Sequence, residues 1–286
     1  MILLLKYRTI KEVLKVKPTL EGAGVKLNRA FGFHETSLFD PFLLLDHFQS
    51  DNPDDYIAGF PWHPHRGIET ITYMLYGYVK HEDSLGNKGI IQSGDIQWMT
   101  AGSGIIHQEM PNQENGLMGG FQLWANLPKS HKMMHPRYRE ITAKQIPDIA
   151  INDKVSIKII CGEINGTKGP VRDIVIEPEY YDVTIKSEGK FTHHFKKGHT
   201  VFAYIFEGAG IFHPDGIMIN KGNIVVFNDG EDILIQAKGE ELRFLLVSGK
   251  PLNEPIAWRG PIVMNTNLEL RTAFDEFQRG TFIKHK

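Results

Sequence analysis

Cysteine, long apolar runs, net charge and helical periodicity are all scarce in this 286-residue chain. A single cysteine, Cys161, excludes an intrachain disulfide and any CxxC redox pair, which points to a reducing, cytoplasmic setting. The N-terminal MILLLKYR holds four apolar residues between Met1 and Lys6, far short of a signal core or a membrane span, and reads as an edge strand. Thirty-two basic against 34 acidic residues give a net charge of −2, and with no basic patch the chain has no electrostatic grip on nucleic acid. Nucleotide-binding loops are missing too: GAGIF and GSGII lack the G-x-G-x-x-G frame opening a helix, and no G-x-x-x-x-G-K-[ST] occurs.

What the chain does have is glycine, 28 of them, punctuating short β-branched and aromatic runs with turns such as DSLGNKG, QSGD and FNDGED. An all-β fold follows, with strands expected at ETITYMLYGYVKHED, GDIQWMT, GIIHQEM, MGGFQLWANL, VSIKIICGEI, YDVTIKS, TVFAYIFEG, GNIVVF, ILIQA and LRFLLVSG. The clearest helix is near the C-terminus, where Thr266 and Glu269 form a capping box. Leu270, Ala273, Phe274 and Phe277 give it an apolar face to pack on a sheet, and Gly280 stops it. A shorter helical stretch is expected in SHKMMHPRYRE. The length fits two domains, and the boundary is placed in that linker region, giving 1–140 and 141–286.

An internal repeat supports that division. GIETITYMLYG (Gly67 to Gly77) lies on GHTVFAYIFEG (Gly198 to Gly208), and GDIQWMTAG (Gly94 to Gly102) lies on GNIVVFNDG (Gly222 to Gly230), in the same order. Two dipeptide-spaced pairs then carry the chemistry: His63 and His65 in HPH, and His107 and Glu109 in HQE. Residues i and i+2 share a face on a strand but point about 200° apart on a helix, so two strands can aim four ligands at one point. Three imidazoles and one carboxylate suit a divalent transition metal, and a metal preferring five or six ligands keeps positions for substrate or O2. Carried through the repeat, His63 falls on His194, His65 on Lys196, His107 on Ile235 and Glu109 on Ala237. One site per chain, in the N-terminal half, is therefore expected.

The G…HxH…E…G pattern of Gly59, His63, His65, Glu69 and Gly77 resembles the first motif of the cupin fold, a double-stranded β-helix barrel. GDIQWMTAGSGIIHQE departs from the second cupin motif, with Thr100 in place of its proline and His107 two residues late. Together with DPFLLLDHF, FPWHPHRGIETITYMLYG, GFQLWANLP and GPIVMNTNLELRTAF, it closely resembles the pirin family of bicupins. His135 in SHKMMHPRYRE stands where an acidic residue is more usual. The resemblance implies two tandem cupin barrels, an N-terminal one binding one metal through His63, His65, His107 and Glu109, and a metal-free C-terminal one. Iron is the metal it implies, while the donor set also suits Mn, Co, Ni, Cu or Zn. Glu69, the usual cupin carboxylate, is then not a ligand but a residue supporting the ligands.

Other features have plainer readings. His131 and His135 share a helical spacing but lack a third ligand. His193, His194, His199 and His213 read as remnants or surface residues, Cys161 as a small buried hydrophobe, and the Asn165 sequon as a turn. Phe48, Phe60, Trp62 and Trp98 flank the motif and are candidates to line a flat pocket.

The resemblance implies a quercetin 2,3-dioxygenase-type enzyme, opening the heterocycle of a flavonol with O2 and releasing CO. Glu109 would be the catalytic base for the substrate hydroxyl. The rival function it implies is a redox-sensitive regulatory protein that binds a transcription or metabolic enzyme partner. A small aromatic substrate, no membrane association and a monomeric chain complete the expectation. Open metal positions facing a cavity favour catalysis, and a closed coordination sphere favours regulation.

Overall fold

The computed structural model describes residues 7–112, 116–213 and 216–285, so most of the N-terminal MILLLKYR lies outside the described residues. The chain divides into two compact units. One comprises Lys17–Thr36, Phe42–Ala143 and the chain from Leu252 on; the other comprises the chain up to Val16, Ser37–Pro41 and Lys144–Pro251.

Both units follow one plan. In the first, a seven-stranded sheet runs in spatial order Arg137–Ile141, Ile96–Thr100, Ile68–Tyr76, Met118–Asn126, Phe42–Ser50, Val25–Phe31 and Lys17–Glu21. A four-stranded sheet runs Phe60–His65, Ile105–Asn112, Tyr78–Asp83 and Lys88–Gln92. In the second, the seven strands are Ile10–Lys15, Asn223–Phe227, Thr200–Glu207, Leu242–Gly249, Glu179–Ile185, Val155–Cys161 and Asp148–Asn152. The four are Lys190–His194, Asp232–Ala237, Ala209–Ile211 and Met218–Asn220. Position for position the two orders correspond, which is the duplication the glycine-bounded repeats predict. Each unit is a double-stranded β-helix.

The chain ends depart from the 1–140 and 141–286 division. Ile10–Lys15 pairs antiparallel with Asn223–Phe227 and takes, in the second unit, the edge place that Arg137–Ile141 holds in the first. The C-terminal helix, Asn267–Gln278, packs with Leu270 and Ala273 on the hairpin of Ala257–Arg259 and Ile262–Met264, within the first unit. The N-terminal strand finds its partner in Asn223–Phe227, and the hairpin under the helix joins the first unit through a bridge between Arg66 and Ile262, long-range pairings that no local pattern reveals.

Gly77 explains a second departure. ETITYMLYGYVKHED is two strands, Ile68–Tyr76 and Tyr78–Asp83, in different sheets. Gly77 turns the corner at φ 73°, where a Cβ would come within 2.8 Å of the Asn112 carbonyl oxygen. Gly208 turns the same corner in the second unit, at φ 70°. SHKMMHPRYRE is turns followed by the strand Arg137–Ile141 rather than a helix, since Pro136 disfavours helical geometry in the residue before it. The C-terminal helix matches its signals: Thr266 Oγ1 accepts from Glu269 N, and Glu269 returns a carboxylate to Thr266 N at 2.9 Å. Gly280 and Thr281 donate to Phe277 O and Glu276 O, closing a Schellman motif.

The interiors differ. Phe191, Phe195, Phe212, Ile233, Ile235 and Phe244 fill the second barrel as one apolar cluster. The first admits buried polar residues, among them His65, Thr72, His107 and Glu109. No helix among the described residues is long and apolar enough to cross a membrane.

Candidate metal centre

Along Ile105–Asn112, burial alternates residue by residue, so Ile105, His107, Glu109 and Pro111 share the covered face. The neighbouring Phe60–His65 runs antiparallel, with Ile105 opposite His65 and His107 opposite His63. That register brings three imidazoles together. His63 Nε2 lies 3.0 Å from His65 Nε2 and 2.9 Å from His107 Nε2.

The outer nitrogens fix the tautomers. His63 Nδ1–H donates to Pro61 O at 2.8 Å and His65 Nδ1–H donates to Pro261 O at 3.1 Å, so in the neutral ring each Nε2 is the nitrogen with the free lone pair. Burial, reinforced by the neighbouring rings, holds His65 and His107 well below the usual histidine range, so both are neutral at pH 7. Bare nitrogens this close repel one another unless a cation lies among them. The donor set, its tautomers and its convergence therefore fit a divalent transition metal.

Glu109 is placed differently. The strand pairing slips beyond His107, setting Glu109 opposite Phe60, and its carboxylate lies within 4.8 Å of ring nitrogens of His107 and His81 rather than grouping with His63 and His65. Gln122 Nε2 donates to Glu109 Oε2 at 3.3 Å. Thr72 Oγ1 stands 3.2 Å from Glu109 Oε1 and 3.0 Å from Gln122 Oε1, with one proton for the two acceptors. These neutral partners, not Glu69, surround the carboxylate. Glu69 instead accepts from Thr100 Oγ1 at 2.5 Å and lies 3.9 Å from Arg137, so these contacts go to neither the histidines nor Glu109, against the expectation that it supports the ligands.

A cavity of about 600 Å³ opens on this cluster, lined by His63, His65 and Glu109 and walled by Phe33, Phe48, Phe60, Trp124 and Trp258. Of the expected aromatics, Phe48 and Phe60 line it. Trp62 is half-exposed and Trp98 is buried away from it. Trp124 meets His65 edge-on at 5.2 Å between centroids. One wall is polar: Thr72, Gln122, Asp46 and Arg29 stand opposite one another on four successive strands and therefore on one face. Arg29 grips Asp46 through two bonds of 2.8 Å and reaches Glu21 at 2.8 Å. Burial, opposed by Arg29, pushes the Asp46 carboxyl up to about 6.

In the second unit, Phe191 stands opposite Ile235 and His193 opposite Ile233. His194, onto which the repeat projects His63, is exposed and bonds Asp232 at 2.8 Å. The projection misplaces that residue because the loop before Gly198 differs in length from the one before Gly67. Both clusters able to hold a metal among the described residues contain His107 of the first barrel. The second cluster adds His81, which sequence reasoning passed over although His81 and Asp83 repeat the i, i+2 spacing of HPH and HQE.

Comparison with known proteins agrees with this architecture. The pirin family pattern matches residues 24–125, and the pirin C-terminal cupin domain matches residues 180–283. A pirin-like protein of Caulobacter vibrioides is 42% identical over 96% of this chain and 99% of its own length. A Pseudomonas aeruginosa protein, named only provisionally as a quercetin 2,3-dioxygenase, is 40% identical over 96% and 98%. The crystal structure of quercetin 2,3-dioxygenase from Acinetobacter baumannii superposes with a TM-score of 0.89 at 33% identity, covering 96% of this chain and 98% of that one. Two barrels of one plan, motifs at matching places and likeness over nearly the whole length make this chain a member of the pirin family.

Proposed function

We propose that the protein is a metal-dependent dioxygenase that opens the heterocycle of flavonols such as quercetin with O2 and releases CO. His63, His65 and His107 would hold one divalent metal per chain, Fe(II) by preference, with Glu109 as fourth ligand and proton acceptor. The observation that carries this reading is the position of His63, His65 and Glu109 on the wall of a cavity with aromatic sides. A site serving only a structural or sensing role needs no such access. The names of the Pseudomonas and Acinetobacter relatives lend it support.

A metal bound there would supply Lewis acidity and coordination positions for substrate and O2. The chain does the rest. Phe33, Phe48, Phe60, Trp124 and Trp258 sandwich a flat polyphenol and keep water from it. Glu109, held by Gln122 and Thr72, accepts the proton of the flavonol 3-hydroxyl. Farther along the same wall, Asp46 and Arg29 offer an acceptor and a donor to outlying phenolic hydroxyls.

The test is aerobic incubation of metal-loaded protein with quercetin. Loss of the flavonol absorbance with one CO released per quercetin is expected. Inertness with iron, manganese, cobalt, nickel and copper alike would overturn the assignment and favour a regulatory role.

A further inference from the structure

His63 and His65 are locked in their ligand tautomers by backbone carbonyls; His107 has no such partner. Its Nδ1 faces His81 Nδ1 at 3.4 Å. His81 sits on Tyr78–Asp83, the strand paired on the other side of Ile105–Asn112, with Glu109 opposite His81 and His107 opposite Asp83. Its ring is buried and stacks on Tyr138 at 4.8 Å between centroids and 24° between planes. Behind it, His81 Nε2 meets Asp83 Oδ2 at 3.2 Å.

The proton positions follow from Asp83. Leu85 N and Asn87 N donate to Asp83 Oδ1 at 2.9 and 3.0 Å, and Asn87 Nδ2 donates to Oδ2 at 2.8 Å. A carboxyl ringed by donors has no acceptor for a proton of its own, so it takes one from His81 Nε2–H. In the neutral His81 ring, Nδ1 is then a lone pair. Of the two facing Nδ1 atoms, one must carry the hydrogen, and that one is on His107. His107 Nε2 is left bare toward His63. At 3.4 Å the bond is long and contributes little energy, but either mismatched arrangement, two lone pairs or two N–H groups face to face, is repulsive.

We propose that His81, backed by Asp83, is the positioning residue that selects the metal-ligating tautomer of His107 and thereby sets metal affinity. The plain alternative is a core histidine packed on Tyr138 with no bearing on the metal. This proposal rests on reading His63, His65 and His107 as ligands.

Three variants separate the possibilities: His81→Leu, which removes the acceptor; His81→Gln, whose Oε1 restores one; and Asp83→Asn. Asp83→Asn keeps the shape but presents an amide N–H to His81 Nε2, which drives the His81 proton to Nδ1 and the His107 proton to Nε2. The measurement is Co(II) and Zn(II) affinity by chelator competition, with the Co(II) visible spectrum as a second readout and thermal melting of the apoprotein as a check on folding. His81→Leu and Asp83→Asn are each expected to bind roughly 10–100-fold more weakly, the range for lost outer-shell partners, while His81→Gln recovers most of the affinity. Equal affinity in all three, or equal loss in Leu and Gln, overturns the proposal. If His81→Leu does not fold, Asp83→Asn against His81→Gln decides: loss in the first with retention in the second supports it, and any other pattern refutes it. Wild-type protein without metal affinity would instead overturn the ligand reading beneath it.

Discussion

Glu109 shows how much one carboxylate depends on neutral neighbours. Gln122 donates to it and Thr72 shares one hydroxyl proton between it and Gln122, so its partners on the cavity wall add no charge. Gln122→Leu removes a bond to the carboxylate and Thr72→Val a shared one; a hydrogen bond to a charged group contributes about 1.5–3 kcal/mol. Turnover should fall roughly 10–100-fold with metal content unchanged, measured as quercetin loss alongside elemental analysis. Loss of metal in either variant would mean that they serve Glu109 as a ligand rather than as a proton acceptor. His63→Ala should do the reverse, stripping the metal while circular dichroism retains the β spectrum. The four motif residues are legible in the sequence because period-two spacing is local. Thr72, Gln122, Asp46 and Arg29 are not, since they come together only through strand register across four separate segments.

At the scale of elements, the segment from Leu252 on braces the HPH strand. Pro261 O holds His65 Nδ1, Val263 N donates to Arg66 O at 3.1 Å, and the buried Arg66 guanidinium bonds Glu276 at 2.7 Å and Phe282 O at 2.8 Å. Helix Asn267–Gln278 anchors that brace, and its capping box is the part the sequence announces most clearly. Thr266→Ala should cost about 1 kcal/mol in urea unfolding, with metal stoichiometry intact. A cost near zero would show that the cap is dispensable once the helix is docked. The helix is readable because caps and periodicity are local signals. Its place in the first barrel, and the strand that replaces the expected linker helix, depend on long-range partners and on Pro136.

The whole molecule is a duplication in which one barrel filled with phenylalanine and isoleucine and the other kept a polar interior. Lys132 is one cost of that polarity. Its Nζ donates to Asn126 Oδ1, Gly67 O and Val263 O at 2.7–3.0 Å, and burial pulls the ammonium down to about 7. Between about pH 7 and the ordinary lysine value of 10.5, the unfolded chain holds a proton that the folded chain has released, so this group makes stability rise with pH across that window. Compared with Lys132→Met by urea unfolding of apoprotein, wild type should gain relative stability between pH 7 and pH 9. A constant difference would show Lys132 titrating as it does in the unfolded chain. The duplication itself is visible in the glycine-bounded repeats, but the exchanged ends and the true position of His194 needed the fold. The central claim is one metal held by three imidazoles from two paired strands, and anomalous diffraction from zinc-loaded crystals tests it most directly. A single peak at about 2.0–2.1 Å from Nε2 of His63, His65 and His107 is predicted; a peak elsewhere, or a second one in the barrel of Lys144–Pro251, would contradict it.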